Sequence, residues 1–263
     1  MPFFQLYAIA LGAILIYMTI LWSVSLALKN SSIVDIFWGP GFVMVGWIAF
    51  ALTSGSMPRK LLLMSLVTLW GLRLGGYILS RNFGKPEDFR YQAWRQEAGA
   101  KWWWFSFFKV FALQGLLMWI ISIPLVQAQF HAPPAGLTPL DYVATALWVV
   151  GFFFEAVGDA QMARFKRDTA NKDKVLNTGV WRYTRHPNYF GEAVQWWAYF
   201  LFALQTPLGI AVIYSPVLMT YLLLNVSGVA LLEKALKDVK PQYKKYIETT
   251  SAFIPWFPRQ HAE

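Results

Sequence analysis

Cysteine is absent from the chain of 263 residues, histidine occurs three times, and charged residues make up only 14% of the sequence. Without thiols there is no disulfide framework, thiolate zinc site or cysteine nucleophile, and with so few histidines we expect no metal site. Hydrophobic residues, in contrast, reach 57%. Since one soluble core cannot bury that much apolar surface, the composition predicts a protein of the lipid bilayer.

Long apolar runs between charged segments predict an all-α polytopic membrane protein with seven transmembrane helices. The first run lacks the basic leader of a cleavable signal, so we expect it to be retained. The last run is long enough for two crossings, and the turn signal Thr206-Pro207-Leu208-Gly209 divides it. The predicted spans are Met1–Leu28, about Ile33–Leu52, Leu61–Ser80, Phe107–Gln127, Leu140–Gln161, and two within Ala193–Leu232.

The net charge of +9 falls between these runs, which favours membrane lipids and not nucleic acid as partners. Because cytoplasmic loops collect lysine and arginine, the charges predict an outside N-terminus and a cytoplasmic C-terminus, with only Arg59 and Lys60 on the outer side. We expect a single membrane domain over 1–263 and leave its oligomeric state open. Its cytoplasmic parts would be an amphipathic connection over 81–106, a cofactor loop over 162–188 and a tail over 233–263.

Four charged residues are candidates for groups held at membrane depth, where an unpaired charge is costly. Asp35 is either a helix N-terminal charge or a functional group, as proton donor or cofactor partner. Arg73 is expected to meet an acid or a phosphate. Glu155 and Asp159 are four residues apart and share a helix face, so they either pair with Arg73 or bind ribose hydroxyls or a carboxamide. Asn225 is a further pocket candidate, with interhelical bonding as the alternative.

The densest polar segment is Asn177 to Glu192, which leads into the sixth predicted span. Basic groups before a helix N-terminus are suited to a phosphorylated anion. An ordinary positive-inside loop would explain the lysines but not the histidine, asparagine and glutamate. The segment and its surroundings supply the candidates Lys166, Lys174, Arg182, Tyr183, Arg185, His186, Asn188, Tyr189, Glu192 and Trp196.

The strings GVWRYTRHPNYFGE and EKALKDVKPQYKKYIETTSAFIPWFP resemble the C-terminal half of the steroid 5-alpha-reductase-like membrane family. The string DIFWGPGF is similar to its bacterial branch, the domain-of-unknown-function 1295 family. The resemblance covers roughly residues 33 to 258. It implies seven helices in a bacterial inner membrane, with NADPH in a cytoplasm-facing cavity and a lipid-like enone as substrate. By the same resemblance the cofactor contacts are Arg73, Asp159, Asn188, Glu192 and Trp196, while Arg185, His186 and Tyr189 match the motif.

The chain departs from the steroid reductases where those enzymes hold the substrate carbonyl. The family has a glutamine–glutamate pair in span two and a tyrosine three residues before the span-three arginine. Phe37-Trp38 and Trp70 stand nearest to those places here, so we expect Trp38 and Trp70 to line the substrate pocket. Asp35 is the only carboxyl group nearby, and in a protonated state it would donate a hydrogen bond to the enone oxygen.

These observations predict an NADPH-dependent membrane reductase of an activated carbon–carbon double bond in a steroid-like or isoprenoid lipid. One alternative is an S-adenosylmethionine-dependent methyltransferase acting on an isoprenylcysteine or a phospholipid, because such enzymes carry similar arginine–histidine–proline strings. A second alternative is a non-catalytic lipid-binding protein, although it would have no need of costly polar groups within the membrane.

Overall fold

A computed structural model describes residues 1–130, 136–226, 228–229, 233 and 241–259. All regular structure in these ranges is helical, as the sequence predicts, and they contain no strand. Five helical segments are long and apolar enough to cross a bilayer, so the chain is an integral membrane protein. They are Phe3–Leu28, Met57–Asn82, Phe89–Phe130, Pro139–Arg167 and Gly209–Val226, and Trp38–Leu52 is a shorter apolar helix.

The chain divides into two compact units, Met1–Thr138 with Phe202–Val212, and Pro139–Leu201 with Ile213–Glu263. The helices of the first unit are α1 (Phe3–Leu28), α2 (Ile33–Ile36), α3 (Trp38–Leu52), α4 (Met57–Asn82), α5 (Phe89–Ala98), α6 (Trp102–Ser106), α7 (Leu113–Ile121) and α8 (Ile123–Phe130). The later helices are α9 (Pro139–Arg167), α10 (Pro187–Leu204), α11 (Tyr214–Tyr221) and α12 (Pro241–Thr249). Short 3-10 turns cover Gly99–Lys101, Thr169–Asn171, Gly179–Arg182 and Gly209–Ile213.

Glycines let α3 and α4 approach within backbone contact. A Cβ on Gly39 of α3 would lie 2.5 Å from the carbonyl oxygen of Gly71 of α4, and one on Gly75 of α4 would lie 2.8 Å from that of Ile36 at the end of α2. Small residues at helix contacts are typical of membrane proteins, where van der Waals packing replaces the hydrophobic effect. Phe42 of α3 and Trp70 of α4 are completely buried.

The connection over 81–106 contains a non-helical stretch at 83–88 and then the helices α5 and α6, which run on into the predicted fourth span. It bends at Gly99, whose φ of 52° is in the left-handed region that favours glycine. A π-helical turn over Phe107–Ala112 then joins α6 to α7. The indole Nε1 of Trp22 on α1 donates to the carbonyl oxygen of Trp103 at 2.9 Å, which holds α6 against α1.

Arg59 and Lys60, the two basic residues predicted for the outer side, lie buried in the first turn of α4. The ammonium of Lys60 donates to the Thr53 carbonyl oxygen at 2.6 Å and lies 4.6 Å from the centre of the Phe50 ring. Arg59 Nη2 donates to Gln205 Oε1 at 3.1 Å. The sequence could not show this, because their partners come from the preceding loop and from a distant helix end.

The predicted turn between the last two spans is confirmed. Helix α10 ends at Leu204, Leu208 has a φ of 60°, and Gly209 begins the next helical segment. That segment continues through α11 into a second π-helical turn, over Leu222–Val226. The predicted end of the seventh span at 230–232 and the tail residues 234–240 and 260–263 lie outside the described residues.

In the second unit, α9 and α10 cross at glycines. A Cβ on Gly151 would lie 2.6 Å from the carbonyl oxygen of Gly191, and one on Gly191 would lie 2.5 Å from the backbone nitrogen of Glu155. Farther along α9, a Cβ on Gly158 would lie 3.1 Å from the ring of Pro187. The start of α10 is therefore held directly against the part of α9 that carries the two predicted carboxylates.

We expect Gly71→Ala to destabilise the protein by about 2 kcal/mol, because its methyl group would meet Val43 Cγ2 and the carbonyl oxygen of Gly39 at 2.5 and 2.7 Å. Gly76→Ala on the same helix is the matched control, since nothing lies within 4 Å of its Cβ position. Thermal unfolding in detergent measures both, and equal midpoints for the two variants would contradict the contact.

Candidate functional site

Two polar pairs link α9 to α10 in the second unit, one buried and one half-buried. The amide Nδ2 of Asn188 donates to Asp159 Oδ1 at 3.2 Å, and the amide Nε2 of Gln195 donates to Glu155 Oε2 at 2.5 Å. Asp159, Glu155 and Gln195 are all buried. Because Glu155 and Asp159 are one helical turn apart, the two pairs lie in successive layers of the α9–α10 contact.

Further polar groups continue along α10. Glu192 is buried, and Trp196 is fully buried with its ring edge-on to Tyr199 at 5.4 Å between centroids. Gln195 Oε1 is a buried acceptor with no partner among the described residues. Sequence reasoning missed Gln195, although it stands three residues after Glu192 on the same helix face.

The arginine and histidine before α10 share one carboxylate. Arg185 Nε and Nη2 contact Glu233 Oε1 at 2.8 and 2.7 Å, and His186 Nε2 lies 3.3 Å from the same oxygen. Arg185 Nη1 also donates to the carbonyl oxygens of Ile247, at 3.0 Å, and of Thr250. The guanidinium predicted to face a cofactor therefore holds the α10 entrance, Glu233 and α12 together.

The charge of Glu233 is stabilised by these partners. Partial burial raises the pKa of its carboxyl group, but hydrogen bonds from His186 and Arg185, together with their positive charge, outweigh this and leave the pKa below its ordinary value. Sequence reasoning missed this carboxylate, which lies 48 residues from Arg185.

The other loop candidates are more open to solvent. Lys166 and Lys174 are exposed, and Tyr183 is exposed and meets Phe257 edge-on at 6.1 Å. The Tyr189 ring stacks on the His186 ring at 5.7 Å. Asn225, expected as a buried amide, is exposed and bonds its own helix through the Tyr221 carbonyl oxygen at 3.3 Å.

Asp35 belongs to a polar network in the first unit. Its Oδ1 accepts from the Tyr91 hydroxyl at 2.7 Å, and its Oδ2 accepts from Arg90 Nη2 at 3.0 Å. Gln114 Nε2 in turn donates to the Tyr91 oxygen at 3.2 Å. The structure thus gives Asp35 partners that sequence reasoning missed. The adjacent arginine and tyrosine at 90 and 91, in the 81–106 connection, were the only hint in the sequence that this segment could supply donors to a carboxylate.

The same network anchors the connection to the chain before α2. Asp88 caps α5 by accepting from the Arg90 backbone at 3.0 Å and binds the Arg90 side chain at 2.9 Å. Partial burial raises the pKa of Asp88, but these bonds outweigh it and leave the pKa below its ordinary value. Glu87 accepts from the Ser31 backbone nitrogen at 2.5 Å and pairs with Arg95 at 2.8 Å.

The predicted substrate tryptophans meet through a third ring. Trp38 lies edge-on to Phe42 at 5.1 Å, and Phe42 lies 5.9 Å from Trp70. A separate groove of about 680 Å³ runs along α3 and α4, with Arg73 among otherwise mostly apolar residues. It is lined by Trp47, Met64, Ser65, Thr68, Leu69, Leu72 and Arg73.

The structure brings together Asp159 with Asn188, Glu155 with Gln195, and Arg185 with His186 through Glu233. Asp35, Trp38, Trp70 and Arg73 belong to the first unit and the remaining candidates to the second. Within the described ranges, no group of three or more His, Asp or Glu side chains is arranged to hold a metal ion.

We expect Glu233→Gln to lower stability by about 2 kcal/mol at neutral pH, because Arg185 would stay buried without its carboxylate. Because the pKa of Glu233 is lower in the folded protein, its carboxylate stabilises the fold fully above pH 4.5, the ordinary pKa of the group. This stabilisation is lost as the pH falls through the pKa of the folded state. The difference between wild type and variant should therefore shrink in acid.

Thermal unfolding in detergent at neutral and acid pH measures this difference. Glu248→Gln is the control, since its carboxylate is exposed on α12 and is not part of the Arg185 contacts. Equal stability of the two variants at neutral pH would contradict the role of Glu233.

Comparisons with known proteins agree with the helical, membrane-bound structure. An uncharacterized protein of Schizosaccharomyces pombe is 28% identical over 280 residues, which cover 92% of this chain and 77% of that protein. The Delta(14)-sterol reductase of Mus musculus is 30% identical over 106 residues, which cover 34% of this chain and 24% of the reductase. No solved structure matches significantly.

The family described as "Protein of unknown function (DUF1295)" matches residues 21–250, which is most of the chain. The match includes the α9–α10 crossing and its polar pairs, and it confirms the resemblance drawn from the motif strings. The chain therefore belongs to the DUF1295 family, a member of the steroid 5-alpha-reductase-like group.

Proposed function

We propose that this chain is an NADPH-dependent membrane reductase that acts on an activated carbon–carbon double bond in a steroid-like or isoprenoid lipid. The observation that carries the proposal is the pair of contacts between α9 and α10, the half-buried Asp159–Asn188 and the buried Glu155–Gln195, beside the arginine–histidine–proline entrance of α10. Membership of the DUF1295 family and the partial match to a sterol reductase support a reductase.

The donors and acceptors of the second unit fit NADPH. Gln195 Oε1 is a buried acceptor without a partner among the described residues, and ribose hydroxyls or a carboxamide would supply the missing donor. Asp159 and Glu155 add carboxylate acceptors, and Lys166 and Lys174 add exposed cations for phosphates. When bound, NADPH supplies the hydride for the reduction. In this proposal Asn188, Glu192 and Trp196 orient the cofactor.

The groove along α3 and α4 is suited to a lipid substrate. Its lining is mostly apolar, and Arg73 gives it one strong hydrogen-bond donor. A long hydrophobic molecule with a single oxygen function matches that distribution. Trp38 and Trp70 do not line this groove, but they belong to the same two helices and are joined through Phe42, and we propose that they contact the substrate beside it.

Asp35 and Tyr91 are the groups we propose to control the proton. The Tyr91 hydroxyl donates to Asp35 Oδ1 at 2.7 Å, Arg90 donates to Asp35 Oδ2, and Gln114 donates to the Tyr91 oxygen. In this role a protonated Asp35, held in place by these partners, would donate to the enone oxygen and stabilise the charge that develops there.

The finer topology is part of the proposal. We propose seven crossings, with α3 and α10 added to the five long segments, an outside N-terminus and a cytoplasmic C-terminus. The basic residues of the 162–188 loop favour this orientation. The bacterial branch of the family implies an inner membrane.

NADPH at a hundred times its dissociation constant should raise the unfolding midpoint in detergent by about 5 °C or more, through about 2.7 kcal/mol of ligand linkage. Asp159→Asn should reduce the shift, because the variant loses a carboxylate acceptor. Asp173→Asn, in the exposed loop, is the matched control and should keep it. If S-adenosylmethionine stabilises the protein and NADPH does not, the proposed activity would be that of a methyltransferase and not of a reductase.

Asp35→Asn should lower kcat by about a hundredfold in an assay that follows NADPH oxidation with a 3-oxo-4-ene steroid as probe. Asp88→Asn is the control, since it removes a carboxylate from the same arginine without touching Tyr91. Both variants should bind NADPH normally. Wild-type turnover by Asp35→Asn would remove Asp35 from the reaction.

A further inference from the structure

Besides the groove of the first unit, the structure contains a cavity in the second unit that does not include the α9–α10 pairs. Its volume is about 600 Å³. Three chain segments line it: the loop and 3-10 turn before α10, one face of α12, and the chain end after α12. The lining residues are Val175, Asn177, Thr178, Arg182, Gln242, Lys245, Tyr246, Thr249, Thr250, Pro258 and Arg259.

The walls of this cavity are fixed by hydrogen bonds between the three segments. The Tyr246 hydroxyl of α12 donates to the carbonyl oxygen of Trp181 in the 3-10 turn. The chain end returns to both, since Trp256 N donates to the Tyr183 carbonyl oxygen at 2.9 Å and Arg259 N donates to that of Thr249 at 2.8 Å. The cavity is therefore a built feature of the fold.

The charge of the lining has one sign. Arg182, Lys245 and Arg259 come from the three different segments, and the described residues around the cavity include no carboxylate. Gln242 and Lys245 lie three residues apart, so α12 presents both donors on a single face, whereas the Thr249 hydroxyl on that face already donates to the Lys245 carbonyl oxygen at 3.1 Å. Arg185 is different, because its guanidinium is already occupied by Glu233 and two carbonyl oxygens.

We infer that this cavity binds the phosphate group of a phosphorylated organic molecule. Three cations and several amide and hydroxyl groups are more hydrogen-bond donors than the two oxygens of one carboxylate can accept. A phosphate has more charged acceptor oxygens and matches this number of donors better. The volume leaves room for an organic portion beyond the phosphate. The same chemistry is offered by a soluble nucleotide and by a lipid headgroup. The inference does not depend on the proposed reductase activity.

The test measures binding of inorganic pyrophosphate to the full-length protein in a neutral detergent at low salt, by calorimetry. Lys245→Gln should weaken binding about tenfold, the loss of one charge-assisted contact. Lys244→Gln changes the net charge equally, but Lys244 does not line the cavity, so binding should change less than about twofold. Equal weakening by both variants, or no saturable binding, would overturn the inference.

Competition then identifies the source of the phosphate. Adenosine 2′,5′-bisphosphate and dihexanoyl phosphatidic acid are each titrated against bound pyrophosphate. Displacement by the first at lower concentration assigns the cavity to a nucleotide, and displacement by the second assigns it to a headgroup. If neither displaces pyrophosphate, the cavity does not take a phosphorylated organic ligand. Reductase assays are not needed for any of these outcomes.

Discussion

Polar groups on the membrane-spanning helices of this chain need partners within the protein, because the bilayer core offers no water to replace them. That constraint explains why all regular structure in the described ranges is helical, since helices satisfy their own backbone groups. It also explains why the buried carboxylates of α9 occur with amides of α10. Asp159 and Glu155 are tolerated in an apolar helix because Asn188 and Gln195 approach them directly.

That approach depends on the absence of side chains elsewhere in the crossing. Gly151 and Gly191 let the two backbones touch, and Gly158 makes room for Pro187. The polar pairs are short because the helices are close. The site therefore depends on both kinds of residue. The glycines bring the two helix backbones close together, and the amides and acids form hydrogen bonds across that short distance. The DUF1295 match includes both sets.

Local features of the fold could be predicted from the sequence, whereas long-range polar pairing could not. Proline and glycine at 206–209 marked a helix boundary correctly, because turn chemistry acts over a few residues. The four-residue spacing of Glu155 and Asp159 predicted a shared helix face, because this relation also depends only on local geometry. The partner of Arg185 is 48 residues away and that of Arg90 is 55, and no periodic pattern reports such distances. The burial of Arg59 and Lys60 could not be predicted either, because charge alone does not show burial.

The π-helical turns at Phe107–Ala112 and Leu222–Val226 are places where the sequence could lose one residue without disturbing the helix packing. A π turn holds one residue more than an α turn, so losing a residue there lets the helix rewind without rotating its remaining turns. The same loss in the middle of α4 would rotate the remaining helix by about 100° and turn Gly71 away from Gly39. Loss of one residue at either π turn should therefore leave the glycine crossings aligned, whereas the same loss within α4 should not.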